Sequence, residues 1–222
     1  MTQNEAYQEI MSITLRVIEL GLSISENFPN RLGKSINCSD QDNLSSVLKN
    51  VSYQEKYEVI NNNKDYNFKL LDGALIQLMY RFNSTGRILE SHRLAYFPAP
   101  NFKTYEDDPE GYEQFFFGNS EYHDLIEKNI VNIPLRFDYS SDIGKFKEIH
   151  HPYSHLHLGE YEKCRIPSIS PLTPSRFMNF ILRNFYNTAL VDYCGNYSFP
   201  NLYNFSKSTT SSEENLIHIN FH

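Results

Sequence analysis

The sequence predicts an α+β fold, a single domain in which an antiparallel β-sheet carries helices packed on one face. Two helical stretches, one towards each end, and a middle region that switches to a two-residue period lead to that prediction. Thr2-Gln3-Asn4-Glu5 has the form of a capping box. Behind it Ile10, Ile13, Val17, Leu20 and Ile24 recur at helical spacing, which predicts a helix over about residues 3–23. Pro29 and the polar residues 37–46 read as a loop, and a shorter helix is expected within residues 45–59. Asn61-Asn62-Asn63-Lys64-Asp65 then breaks the chain, so residues 1–65 form a helical N-terminal part.

The sheet and its long helix are expected over residues 70–190. Ala74–Phe82 and Arg87–Pro98 flank the short polar link Asn83-Ser84-Thr85-Gly86, the pattern of a β-hairpin. Residues 105–114 carry Glu106, Asp107, Asp108, Glu110 and Glu113 without a Lys or Arg, as a solvated loop does, and a short helix is expected over 120–128. Ile133–Ser140 and His155–Leu158 read as strands, Gly159-Glu160 as a turn, and Tyr161–Ile169 as a returning strand. Thr173 caps and Pro174 opens a helix over 174–190, whose apolar stripe of Phe177, Phe180, Ile181, Phe185 and Leu190 is widened by Met178, Leu182 and Tyr186. Residues 206–214 read as a polar linker and 216–221 as a last strand, which makes 206–222 a C-terminal appendage.

Bulk properties narrow the function classes. A chain of 222 residues with 40% apolar content can bury a sizeable core. No apolar run approaches the ~18 residues of a membrane span, and MTQNEAYQEI is too polar for a secretory signal. Cys38, Cys164 and Cys194 are too few and too scattered for a disulfide framework, so a reduced, cytoplasmic protein is expected. The net charge of −7 argues against a chain coated for general nucleic-acid binding. Residues 129–190 nonetheless carry seven basic residues against five acidic ones, so an anionic ligand is expected there. G-x-x-x-x-G-K, G-x-G-x-x-G, H-E-x-x-H and G-x-S-x-G are absent, which weighs against P-loop, dinucleotide, zincin and ordinary esterase chemistry.

The segment IHHPYSHLHLG (149–159) concentrates four of the eight histidines. Side chains alternate across a strand, so Leu156 and Leu158 oppose His155 and His157, Leu135 and Phe137 oppose Arg136 and Asp138, and Leu94 and Tyr96 oppose Arg93 and Ala95. With the apolar sets turned to the helix over 174–190, the other face gathers Arg93, Arg136, Asp138, His155 and His157, provided that no bulge shifts the register. Three chemistries suit that face. His155 and His157 would hold a divalent metal such as Zn²⁺ or Mn²⁺ with a third ligand from Asp138, His151 or His123, although spacing fixes none of these. Without a metal, one histidine would act as base and the other as acid in phosphodiester cleavage, with Arg93 or Arg136 neutralising the phosphate. The third is binding alone, of a phosphate, a nucleotide or an acidic partner.

A bland alternative stands against all three: a polar outer face whose histidines bond to neighbours or solvent. His150 and His151, ahead of Pro152, read as loop residues, and His92 as a satisfied core histidine. Cys164 and Cys194 read as packing residues, and Arg165, beside Pro167 at a strand end, as an anion contact.

HRLAYFPAP (92–100), PLRFDYS (134–140), HPYSHLHLG (151–159) and CRIPSISPLTPSRFMNFILRNFY (164–186) together resemble the bacterial domain-of-unknown-function 2290 family. The resemblance covers roughly residues 70–190 and is most specific over 155–186. It implies a prokaryotic intracellular protein of the kind found in mobile or phage-defence gene neighbourhoods, and it carries no assigned catalytic residue. The expected function is that of a nucleic-acid-directed protein, of phosphodiesterase or toxin-like type. The alternatives are a non-catalytic subunit that docks on a larger assembly through aromatic anchors, from a stock of 16 Tyr and 16 Phe, and a small-ligand sensor using the same face.

Overall fold

Capping chemistry sets both helices of one face. In the computed structural model, which describes residues 1–38, 51–100, 133–160, 163–192 and 194–221, helix α1 spans Gln3–Glu19. The Thr2 hydroxyl accepts from Glu5 N at 3.3 Å, and Thr2 N donates to Glu5 Oε2 at 2.6 Å, closing the predicted capping box. The helix stops about four residues earlier than its periodicity suggests. Gly21 takes a φ of +63°, and the bonds Leu22 N to Val17 O (3.1 Å) and Gly21 N to Ile18 O (2.9 Å) form a Schellman cap. Ile24, the last member of the predicted stripe, is instead an exposed strand residue.

Ser23–Glu26 (β1), Asn30–Leu32 (β2) and Ser35–Asn37 (β3) follow, then helix α2 over Tyr53–Asn62, capped by Ser52 with Glu55. Strands β4 (Phe68–Leu70), β5 (Leu75–Phe82), β6 (Leu89–Phe97), β7 (Leu135–Ser140), β8 (Ser154–Leu158) and β9 (Ile166–Pro167) complete the sheet. Its nine strands run β1-β4-β5-β6-β7-β8-β9, with β3 also paired to β5 and β2 to β3. Every one of these pairings is antiparallel. The predicted hairpin is β5–β6, turned at Gly86 (φ +68°) and tied to α1 by Gln3 N to Gly86 O at 2.8 Å. A register shift falls at Arg81/Phe82, far along the hairpin, whereas β6, β7 and β8 pair without interruption.

Thr173 caps α3 (Pro174–Phe185) as expected, but the helix breaks at Tyr186 and resumes as α4 (Asn187–Asp192). Phe177, Met178, Ile181 and Leu182 of α3 join Ala6, Ile10, Ile13 and Val17 of α1 over Leu94, Phe137 and Leu156 of the sheet. Phe137 meets Phe177 and Phe180 edge-on, at 6.2 and 5.7 Å between ring centres. On the opposite face α2 covers one end only, with Tyr57 and Ile60 over Leu75, Ala95 and Phe97.

The predicted strand Tyr161–Ile169 contracts to β9, and its first residues lie outside the described ones. The predicted last strand is reduced to a single parallel bridge, Ser168 to Ile219. Inside the predicted linker a one-turn helix, α5 (Ser211–Glu214), forms because Thr210 and Glu213 make another capping box. The acidic run 105–114, the helix expected over 120–128 and His123 lie outside the described residues. No helix among the described residues is long and apolar enough to cross a membrane.

Candidate functional site

The uninterrupted register of β6, β7 and β8 carries the site. Arg93 pairs with Asp138, and Asp138 with His155; Arg136 pairs with His157. Neighbouring strands stand about 4.8 Å apart, so these five side chains, all on the face away from α1 and α3, fall within reach of one another. Asp138 is the hub. Its Oδ1 accepts from Arg93 Nε at 3.2 Å and its Oδ2 from Arg136 Nε at 2.8 Å, with His157 Nε2 at 3.6 Å from the same Oδ2.

A chain of hydrogen bonds assigns the imidazole protons. His155 Nδ1 lies 2.8 Å from the Pro152 carbonyl, which can only accept, so Nδ1 carries the proton. His155 Nε2 is then a lone pair, and the 3.0 Å contact between the two Nε2 atoms requires His157 to donate. Both rings are buried, at 3% and 6% exposure. Burial, as the largest cause, lowers His155 to about 4 and, helped by the Arg136 charge, His157 to about 3. Burial pushes the Asp138 carboxyl up, but Arg93 and Arg136 outweigh it and hold the group well below the usual carboxylate range. At neutral pH two uncharged imidazoles therefore face an ionised carboxylate, and the two guanidiniums leave the cluster with an excess positive charge.

Beside this cluster opens a cleft of about 630 Å³, lined by Gly144, Lys145, Lys147, Ile149, His150, His151, Lys163 and Arg165. Four of these eight described residues are cations, and none of the eight is acidic. His151 joins cleft and cluster, its ring centre 5.1 Å from that of His155. Burial lowers His151, as it does His155 and His157, and the Arg165 charge adds to the lowering in all three; Arg165 Nε is itself buried with no hydrogen-bond partner among the described residues. One wall of the cleft is strained: Ile149, a β-branched residue, holds a φ of +69°. Its N–H donates to Glu213 Oε1 at 3.3 Å, and the other carboxylate oxygen of this fully buried Glu213 accepts from Thr210 N at 3.0 Å. The C-terminal turn α5 thus holds the cleft loop in place.

The predicted residues Arg93, Arg136, Asp138, His155 and His157 do come together. Arg165 stands in the adjoining cleft rather than on Asp138, and His151 contacts His155 by its ring. Lys145, Lys147, Lys163 and Glu213 were not singled out from sequence; the basic excess of residues 129–190 is the signal that points to the lysines. The histidine pair is not part of a solvated outer face. Nor do the two rings stand on opposite sides of a space. A base and an acid acting on one phosphodiester must each reach their own oxygen, at about 2.6–3.2 Å and on opposite sides of phosphorus. Two Nε2 atoms in contact converge instead on one point, where a proton or a metal ion is held. His92, on the apolar face, is buried at 4% exposure; its Nε2 accepts from Leu172 N at 3.1 Å, while Nδ1 has no hydrogen-bond partner.

The chain belongs to the family described as an uncharacterized conserved protein (DUF2290), whose family model matches residues 22–221. No curated protein and no solved structure matches it.

Proposed function

We propose that this DUF2290 member is a nucleic-acid-directed protein: it takes a phosphate backbone into the cleft between residues 144–151 and 163–165, and the Asp138–His155–His157 cluster behind the cleft serves phosphodiester chemistry. One observation supports the reading above all. In a chain with a net charge of −7, the cleft gathers Lys145, Lys147, Lys163 and Arg165 with no acidic residue among its described lining, Asp142 standing just outside it at 3.8 Å from Lys145. Clustered cations of this kind raise the local concentration of a polyanion and gain further from released counterions. Arg165 brings a donor that no described protein group uses, and a guanidinium is well shaped for two phosphate oxygens.

Fluorescence anisotropy of labelled single-stranded RNA and DNA, at salt concentrations from about 50 to about 200 mM, tests this. Four phosphate contacts give a slope of log K on log salt of about −3 for a single strand. Lys163→Ala and Arg165→Ala should each weaken binding and make that slope shallower by about 1. Salt-insensitive binding, or binding unchanged in the doubly substituted protein, would rule the cleft out.

A second reading, a subunit that docks on a partner, draws on a different surface. Ile24, Phe28 and Leu32 are exposed in sequence proximity, and Phe28 is the exposed phenylalanine among the described residues. Phe28→Ser would then abolish partner capture and leave oligonucleotide binding intact.

A further inference from the structure

We propose that Asp138 Oδ2, His155 Nε2 and His157 Nε2 form a three-ligand site for one divalent first-row transition metal ion. The site stands on its own geometry; only its use in phosphodiester hydrolysis rests on the nucleic-acid reading above.

The three side chains each offer a ligand atom, and these atoms all lie within 4.8 Å of one another. A metal with bonds of about 2.0–2.2 Å requires neighbouring ligand atoms about 3.0 Å apart in an octahedral arrangement and about 3.4 Å apart in a tetrahedral one. The two Nε2 atoms are 3.0 Å apart, and His157 Nε2 is 3.6 Å from Asp138 Oδ2. The third edge, from His155 Nε2 to the Asp138 carboxylate, is bounded by the same 4.8 Å, so seating the ion requires the carboxylate to swing towards His155.

The surroundings favour this use of the rings. His155 donates Nδ1–H to a backbone carbonyl, the outer contact that fixes a ligating histidine's tautomer and turns its Nε2 lone pair inward. His157 needs one change, its proton moving from Nε2 to Nδ1, so that both Nε2 lone pairs face the same point. Two imidazoles and one carboxylate suit zinc, iron or manganese, whereas the all-oxygen preference of Mg²⁺ and Ca²⁺ is not met. Three protein ligands leave coordination positions for water or a phosphate oxygen.

One feature opposes the ion: Arg93 and Arg136 already bond the carboxylate. Arg136 competes directly, because it holds the same Oδ2 that would ligate the metal. Its side chain is 35% exposed, so solvent can rehydrate it if the ion takes its place, while Arg93 holds Oδ1 and orients the carboxylate. The competition yields a specific expectation: removing the Arg136 charge should tighten metal binding.

Chelator-stripped protein, verified as folded by circular dichroism, is titrated with zinc chloride by calorimetry, and metal content is read after dialysis. The variants are His157→Gln, His155→Gln and Arg136→Gln. The expected result is one equivalent in the wild type, affinity lower by at least ~100-fold in either histidine variant, and affinity higher several-fold in Arg136→Gln. Less than one equivalent in the wild type overturns the proposal, as does one equivalent retained by folded His157→Gln, which would place the ion on other histidines. If neither histidine variant folds, Arg136→Gln decides: tighter zinc binding supports the site and unchanged binding overturns it. A wild type that binds zinc but no oligonucleotide ends the nucleic-acid reading and keeps the metal site, and the reverse result does the opposite.

Discussion

Strands β6, β7 and β8 serve two faces with the same rungs. On one face Leu94, Phe137 and Leu156 meet across the strands beneath α3; on the other, Arg93, Asp138 and His155 meet in the neighbouring row. The backbone geometry is shared, yet the two faces are held together differently. Apolar contact is non-directional and its strength follows the area buried. On the polar face the charge of each group depends on its neighbours: Asp138 stays ionised because two guanidiniums offset its burial, and the histidines stay neutral because nothing offsets theirs fully. A substitution on the first face should change stability by volume, and one on the second by the charge it leaves behind.

The largest effect is expected on the apolar face. Phe137 is fully buried against Phe177 and Phe180, so Phe137→Ala should cost about 3–5 kcal/mol in urea unfolding. A loss below about 1 kcal/mol would mean that the core repacks around the gap.

His92 is the exception that sharpens the contrast, a titratable ring set into the apolar face. Burial lowers it to about 4 from an ordinary 6.5. Between those values the unfolded chain binds a proton that the folded one refuses, so stability falls as pH drops from 6.5 and levels off below 4. The loss attributable to this ring is of order 3 kcal/mol. Unfolding free energies of the wild type and His92→Gln, measured from pH 7 to pH 4.5, should show a shallower slope in the variant. Parallel slopes would remove His92 from the acid response.

The smallest of the three effects belongs to the ion pairs. Removing the Asp138 carboxylate leaves Arg93 and Arg136 without their shared partner, but both are about one-third exposed and recover hydration. Asp138→Ala should therefore cost about 1–3 kcal/mol, less than a fully buried pair would. In a double-mutant cycle with Arg93→Ala, a coupling near zero would show that the pair is only a surface contact.

Local chemistry explains what could be seen before the structure. The Thr2 and Thr173 caps depend on residues within three positions, and both formed. The gathering of Arg93, Arg136, Asp138, His155 and His157 was legible because a strand's period of two is a property of the backbone, needing only that no bulge intervene. Three- and four-residue strands such as β1, β2, β3 and β4 are too short to show a period, and they were not visible. Phenylalanine count likewise said nothing of placement: Phe68, Phe82, Phe137 and Phe177 went to the core, leaving Phe28 exposed.

By itself, then, the sequence determined the α+β class, the two principal helices and which side chains share a sheet face, since each follows from spacing along the chain. Only the tertiary structure decided how that face works. Lys145, Lys147 and Lys163 reach one cleft through loops that have no period, and Glu213 holds Ile149 across 64 residues of chain. The Pro152 carbonyl, by accepting from His155, sets which nitrogen of His157 carries a proton. These are contacts between groups brought together by folding, and their energies depend on distance and burial, which no local pattern in the chain encodes.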